Sequence, residues 1–299
     1  MSSGGASAGV GSGRARAGLL VGAAAAAGLA WAWFEAGWLR VEQVEVTVPE
    51  LPSELDGLRI AHLSDFHLGV PSRGRRATER AVAWVEDRRP DIVTVTGDLL
   101  TRSKGAPVLR ELVARLAGVA PTFLILGNHD FAISRDPFAD RSPPLDLSPA
   151  RLLSDAGATI ELRGRRVYVA GADPRSRWVR SRPQPEQLAV SRADADLRIL
   201  LLHYPRLVDG LPQGAFDLVL AGHMHGGQIN LPYPGGKLHL AHLRARFTRG
   251  LYVLPAATMH VSAGLGTTFV PFRFAARPEA SELVLRGGAI PLAFAPDPH

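Results

Sequence analysis

An α/β fold is predicted, with short buried strands joined through helices. Three observations carry it. Five apolar runs of strand length, Leu58–Leu63, Ile92–Thr96, Thr122–Leu126, Leu197–Leu202 and Phe216–Ala221, show little alternation, as strands covered on both faces do. Helical stretches intervene, at Thr78–Arg88 and Val108–Leu116. Each run stops at a polar residue, which places chemistry at the carboxyl ends of strands.

The elements follow in order. Residues 1–13 are Gly, Ser, Ala and Val after the Met and read as a flexible tail. Ala17 to Phe34 is an 18-residue stretch without a charge, ended by Glu35 and preceded by Arg14 and Arg16. As a helix it spans roughly 27 Å, close to the hydrocarbon thickness of a bilayer. Trp31, Trp33 and Trp38 crowd its far end as an interfacial belt would. The positive flank places the rest of the chain outside the cytoplasm. A signal peptide cut after Ala30-Trp31-Ala32 is the rival reading, with a secreted product. Val41 to Val48 alternates as a half-buried strand. Arg135 to Pro149 reads as a long surface loop on the rim of a site, and Arg166–Ala170 as a further strand. The apolar runs from Leu251 to Leu285 read as later strands of a second sheet. The division expected is 1–40 for tail and anchor, 41–286 for a catalytic domain, and 287–299 for a C-terminal tail.

Composition narrows the function. The chain has 299 residues and no Cys, so disulfides, thiolate metal sites and cysteine nucleophiles are excluded. The net charge of +6 points to a polyanion partner. However, the cations are spread along the chain and Lys occurs only at Lys104 and Lys237, so no phosphate-tracking stripe stands out and a nucleic-acid partner is not expected.

The polar strand ends are Asp65 and His67, Asp98, Asn128 with His129 and Asp130, His203, and His223 with His225. Gathered on one rim, they form a mixed oxygen and nitrogen set. Such a set suits Mn, Fe, Zn, Co or Ni better than Ca or Mg. The residues are too many for one ion; two ions bridged by a carboxylate would use them and clamp a phosphoryl group. Each fragment alone is a common turn; five in series, each at a strand end, are not.

Asp65-Phe66-His67, Gly97-Asp98, Gly127-Asn128-His129-Asp130, His203 and Gly222-His223-Met224-His225 together resemble the signature of the calcineurin-like metallophosphoesterases, over roughly residues 58–286. The stretches Ala221–Ile229 and Val261–Thr268, the latter running into Pro271-Phe272-Arg273-Phe274, resemble a membrane-associated bacterial branch. The resemblance implies a four-layer sandwich of two mixed β-sheets flanked by helices. It implies one metal on Asp65, His67 and His225, another on Asn128, His203 and His223, and Asp98 between them. A bridging hydroxide would attack phosphorus, His129 would protonate the leaving oxygen, and Asp130 would orient the turn or His129. The protein-phosphatase branch carries a carboxylate where this chain has Thr101. That departure counts against a protein phosphatase and leaves a phosphodiesterase as the leading reading, with a monoesterase or nuclease-type enzyme as alternatives. The substrate expected is a phosphoester, lipid-linked or from the cell envelope.

Some residues stand outside this set. Arg102 follows the second motif and is the expected contact to a phosphoryl oxygen. His62 reads as a core histidine, His260 as packing, and His239 and His242 as loop side chains. Arg175, Arg177, Arg180 and Arg182, around Trp178, read as a solvated loop, a phosphate clamp or a headgroup contact.

Overall fold

The computed structural model describes residues 8–140, 146–177, 182–234, 236–241, 243 and 245–289. Helix α1 (Ala8–Glu35) opens the chain, and its Arg16–Glu35 portion is long and apolar enough to cross a membrane, with mean hydropathy 1.7 and almost no burial. Its last turn is different. Ala32, Glu35 and Ala36 are buried against the rest of the molecule. Glu35, which the sequence presents as the charge that ends the apolar run, accepts hydrogen bonds from the amides of Ala275 and Ala276 and from the Trp31 indole.

Two six-stranded mixed sheets follow. The first contains β1 (Arg40–Val48), β2 (Arg59–Leu63), β3 (Ile92–Thr96), β4 (Thr122–Ile125), the short β5 (Arg151–Leu152) and β14 (Glu279–Gly287), in the order β1-β14-β2-β3-β4-β5. The second contains β6 (Ala156–Leu162), β7 (Arg165–Gly171), β8 (Leu197–Leu202), β9 (Leu218–Ala221), β12 (Gly250–Val253) and β13 (Thr258–Val261), in the order β12-β13-β9-β8-β7-β6. A small hairpin pairs β10 (Asn230–Tyr233) with β11 (Gly236–His239). Strands β2, β3 and β4 run parallel, as do β7, β8, β9 and β13, so each group delivers its carboxyl ends to one edge.

The sheets pack face to face. Ile60, Ile92, Phe123 and Ile125 of one meet Val169, Ile199, Leu201 and Leu220 of the other in a dry core. Burial of such side chains contributes about 1.5–3 kcal/mol each. Helices α2 (Gly74–Arg88) and α3 (Ala106–Ala117) cover the outer face of the first sheet through Ala81, Val85, Leu109 and Leu112. The second sheet is covered by short helical turns and loops, with Val208, Leu211, Phe216 and Phe247 on its outer face.

One strand departs from the reading of residues 251–285 as a single second-sheet block. β12 and β13 do join the second sheet, but β14 returns to the first, parallel to β1 and antiparallel to β2. Its apolar pattern fits either sheet. The choice is made by loop geometry: the chain from Ser262 to Pro278 crosses over the strand ends and re-enters beside β2, with the Leu265 and Gly266 amides bonded to the Ser64 and Asp65 carbonyls.

Candidate metal centre

The predicted residues converge. Asp65 and His67 leave β2, Asp98 leaves β3, Asn128 and His129 leave β4, His203 leaves β8, and His223 and His225 leave β9. Ligand atoms of Asp65, His67 and His225 lie within 4.8 Å of one another, and so do those of Asp98, His203 and His223. Asp98 stands between the two groups: Oδ2 is 3.5 Å from His67 Nε2 and 3.3 Å from His203 Nε2. Asn128 Oδ1 is 3.0 Å from His203 Nε2. All seven side chains are buried or nearly so.

The backbone makes this convergence by turning sharply. Asp65, His67, Asp98, His223 and His225 all adopt positive φ, between 47° and 73°. Asp and His tolerate this left-handed region better than most residues, yet strain of this kind persists only where the surroundings hold it. They do so here by close approach. A Cβ on Gly264 would fall 2.7 Å from Asp65 Cβ, and a side chain at Gly127 or Gly222 would overlap Asp98 or Ser64. The glycines of the quoted motifs let three loops pack without gaps.

The donor set fits divalent ions of the Mn, Fe, Co, Ni and Zn group: imidazole nitrogens and carboxylate and amide oxygens, buried, with no lysine among them. His67 and His225 are held neutral by burial, His67 down to about 3, which is the form a metal needs. Burial alone would also lower His203, but the charges of Asp98 and Asp65 outweigh it and push it up to about 9. A metal therefore has to displace a proton from His203. Two consequences are expected. Metal affinity should rise with pH up to about 9, with proton release on binding. The His203 contribution to metal-free stability should be complete below pH about 6.5 and lost as pH rises to about 9, because the folded-state value is the raised one. Thermal unfolding of the metal-free protein across that window checks the second. A midpoint rising between those values would refute it.

Thr101, which cannot orient His129 by charge, does not touch it. Its hydroxyl lies 2.8 Å from His67 Nδ1 and fixes the ring of that candidate ligand. His129 is held from elsewhere. Its Nε2 is 2.8 Å from Ser134 Oγ and 3.2 Å from Thr268 Oγ1. The Thr268 hydroxyl donates to Asp136 Oδ2 at 3.0 Å, so its oxygen accepts from His129. Burial raises the Asp136 carboxyl, but the amides of Phe269 and Phe138 and the Thr268 hydroxyl more than reverse this and keep it ionised. Asp136 was missed in the sequence because it lies eight residues beyond Asn128, in a loop with no pattern; the prolines there signal only a long loop. Residues 141–145 of that loop lie outside the described set.

Asp136→Asn should lower turnover by about 10–100-fold, the scale of a lost outer-shell partner, with metal content unchanged. Metal analysis beside initial rates checks this; loss of metal would instead place Asp136 in the ion site.

Other sequence-level assignments resolve as follows. Asp130 does not reach His129; its carboxylate accepts from the amides of Leu99, Leu100 and Gly127 and so locks two ligand turns together. Arg102 is not brought to the cleft. Its Nε donates to the Phe138 carbonyl and its guanidinium lies over the Phe138 ring, whereas Arg135 lines the cleft. His62 and His260 face each other between the sheets, Nδ1 to Nδ1 at 2.8 Å. His239 bonds Asn230, and His242 lies outside the described residues, as do Trp178 and Arg180. Arg175 and Arg182 pair with Asp173, and Arg182 also with Asp155, so neither stands as a phosphate clamp.

One residue of the centre had no role assigned from sequence. Arg273 is fully buried, and its guanidinium donates to the carbonyls of His225, Ala263, Gly264, Gly266 and Ala276. Burial lowers it to about 10, still charged at neutral pH.

The cleft over these residues has a volume of about 780 Å³ and is lined by Asp98, Asn128, His129, Tyr204, His223 and His225 among others. The calcineurin-like phosphoesterase model matches residues 58–227, more than half of the chain, and its span contains every ligand turn described above. The chain belongs to the calcineurin-like phosphoesterases. It is a metal-dependent phosphoester hydrolase by that membership and by its His and Asp clusters. Among similar proteins are an uncharacterized metallophosphoesterase of Bacillus subtilis, YkoQ, 28% identical over 75% of this chain and 82% of the relative. A transmembrane protein with metallophosphoesterase domain from Danio rerio is 32% identical over 83% of this chain and 57% of its own length. The UDP-2,3-diacylglucosamine pyrophosphatase LpxG of Chlamydia trachomatis is 27% identical over 84% of this chain and 91% of its own.

Proposed function

We propose that this phosphoesterase is a two-metal phosphodiesterase, anchored by a single N-terminal helix and acting outside the cytoplasm on a lipid-linked phosphoester. The observation that carries the two-metal reading is Asp98, set 3.5 Å and 3.3 Å from histidines of two separate ligand groups. Residues 1–40 would form the tail and anchor, 41–286 the catalytic domain and 287–299 the tail. Asp65, His67 and His225 would hold one ion, and Asn128, His203 and His223 the other. Two such ions supply, when bound, the charge that activates water and neutralises the phosphoryl oxygens.

The chain's own part is positional. His129 Nε2 donates toward Thr268 and Ser134, and Nδ1 has no hydrogen-bond partner; in the imidazolium form Nδ1 would carry the second proton, and its transfer to the leaving oxygen would leave a neutral ring still held through Nε2–H. Arg14 and Arg16 before the apolar stretch support the outward orientation. The pyrophosphatase name of the Chlamydia relative, with a diacylated sugar nucleotide as its substrate, supports a bridging phosphate on a lipid.

The test is metal analysis of the detergent-solubilised chain, followed by hydrolysis of bis(p-nitrophenyl) phosphate and p-nitrophenyl phosphate at equal Mn loading. We expect two metal equivalents and faster diester turnover. Faster monoester turnover would establish the monoesterase alternative, and a single metal equivalent would overturn the two-ion centre.

A further inference from the structure

We propose that a second, apolar cavity beside His129 takes one acyl chain of a bilayer phospholipid whose phosphate sits in the metal cleft, an inference that rests on the membrane phosphodiesterase reading above. The cavity lies between Val70–Ser72 and Thr267–Pro271 and is closed by Asp136 and Phe138. Thr268, Phe269 and Val270 line both it and the metal cleft. This shared strip is the path by which a chain held at the metals would reach the cavity. Its volume of about 160 Å³ is on the scale of apolar cavities of about 150 Å³ that take benzene, enough for a short run of methylenes.

A lipid is favoured over other apolar occupants by what adjoins the cavity. The segment that forms one wall continues into Phe272 and Arg273. Phe272 stacks edge-on against Trp33 of α1 at 6.2 Å, and the Arg273 amide donates to the Ala32 carbonyl. The wall is thus fixed to the aromatic end of the apolar helix, where Trp31, Trp33, Phe34 and Trp38 remain exposed at the level expected of a membrane interface. Phe138, Phe269 and Val270, on the cavity's lining, are also large, apolar and exposed. Cations sit at the same level: Arg73 over the Phe34 ring, Arg277 over the Trp38 ring and Arg80 against the Gly37 carbonyl. Apolar surface rimmed by arginine fits an anionic lipid surface.

The full chain, loaded with Mn, should be placed in phosphatidylcholine vesicles holding a minor fraction of phosphatidic acid, a monoester, with a diazirine in the proximal half of one acyl chain. Irradiation should label residues 70–72, 138 or 267–271, whereas a diazirine at the chain terminus should label α1. Val70→Asp should cut proximal labelling by about tenfold, because a new carboxylate there, without the amide and hydroxyl donors that satisfy Asp136, opposes a methylene chain. With metal loaded, a hexyl p-nitrophenyl phosphate diester should be preferred over the ethyl diester by about tenfold or more in kcat/KM, and the ratio should fall toward one in Val70→Asp. Proximal labelling confined to α1, or an ethyl-to-hexyl ratio near one in the unsubstituted protein, would overturn the chain site. Correct labelling with no turnover of either diester would overturn the phosphodiesterase reading and leave the chain site standing.

Discussion

Asp98→Asn should reduce kcat on bis(p-nitrophenyl) phosphate by about 10³-fold or more, at the upper end of what loss of one charge-stabilising group costs. Asp98 lies within 3.5 Å of a histidine of each ligand group, and its other oxygen accepts the His129 amide at 2.8 Å. The amide side chain keeps the shape and can still accept that bond, so the fold should survive. What disappears is the negative charge that offsets two cations, and with it the support that holds His203 at about 9. Metal content should fall from two equivalents toward one. Turnover within tenfold of the unsubstituted protein, at unchanged metal content, would remove Asp98 from the centre of the mechanism.

Arg273→Ala should be the most damaging change outside the ligand set. It deletes a donor to five carbonyls on the loops that carry His225 and the Gly264–Gly266 crossing; His225 and Gly264 keep the amides of Gln228 and Glu279, whereas Ala263, Gly266 and Ala276 lose the guanidinium as donor. A buried acceptor left unsatisfied costs about 1–3 kcal/mol. Several together approach the whole stability of a domain, about 5–15 kcal/mol. The thermal midpoint should drop by about 10 °C or more, given roughly 2–4 °C per kcal/mol at this size. Lysine should rescue little, since a point charge cannot reach carbonyls arranged around a planar fork. A midpoint within a few degrees of the parent would show that water can replace the guanidinium.

These two residues mark where sequence reading succeeds and where it stops. Asp98 is visible because it ends the buried strand Ile92–Thr96 after a glycine, a local pattern with a physical cause. The same holds for every metal-facing residue named from the sequence: an apolar run supplies the support and its polar end supplies the ligand. Arg273 carries no such signal. It lies in a loop, within the Pro271–Phe274 stretch that carries the branch resemblance, and nothing in that stretch says what the side chain does; its burial among carbonyls does. Asp136 fails for the same reason, since its partner Thr268 lies 132 residues away in sequence. The placement of β14 was illegible too. Periodicity identifies a strand, but the crossing of residues 262–278 over the site decides which sheet it joins. Arg102 shows the opposite error: its nearness to Asp98 in sequence does not bring it to the cleft, because its guanidinium is drawn to Phe138.

The left-handed backbone at Asp65, His67, Asp98, His223 and His225 bears on how such a centre can be taken apart, by experiment or by drift. Alanine at any of them removes a candidate ligand and also the polar side chain that helps a residue with a Cβ hold a conformation costing roughly 1–2 kcal/mol. Asparagine and glycine occupy that region readily. A scan by alanine would therefore read as loss of fold what is partly loss of chemistry, whereas Asn or Gly substitutions separate the two. A lineage that abandons the reaction has the same cheap exit: Asn or Gly at these turns leaves the scaffold standing, free to be used for something other than hydrolysis.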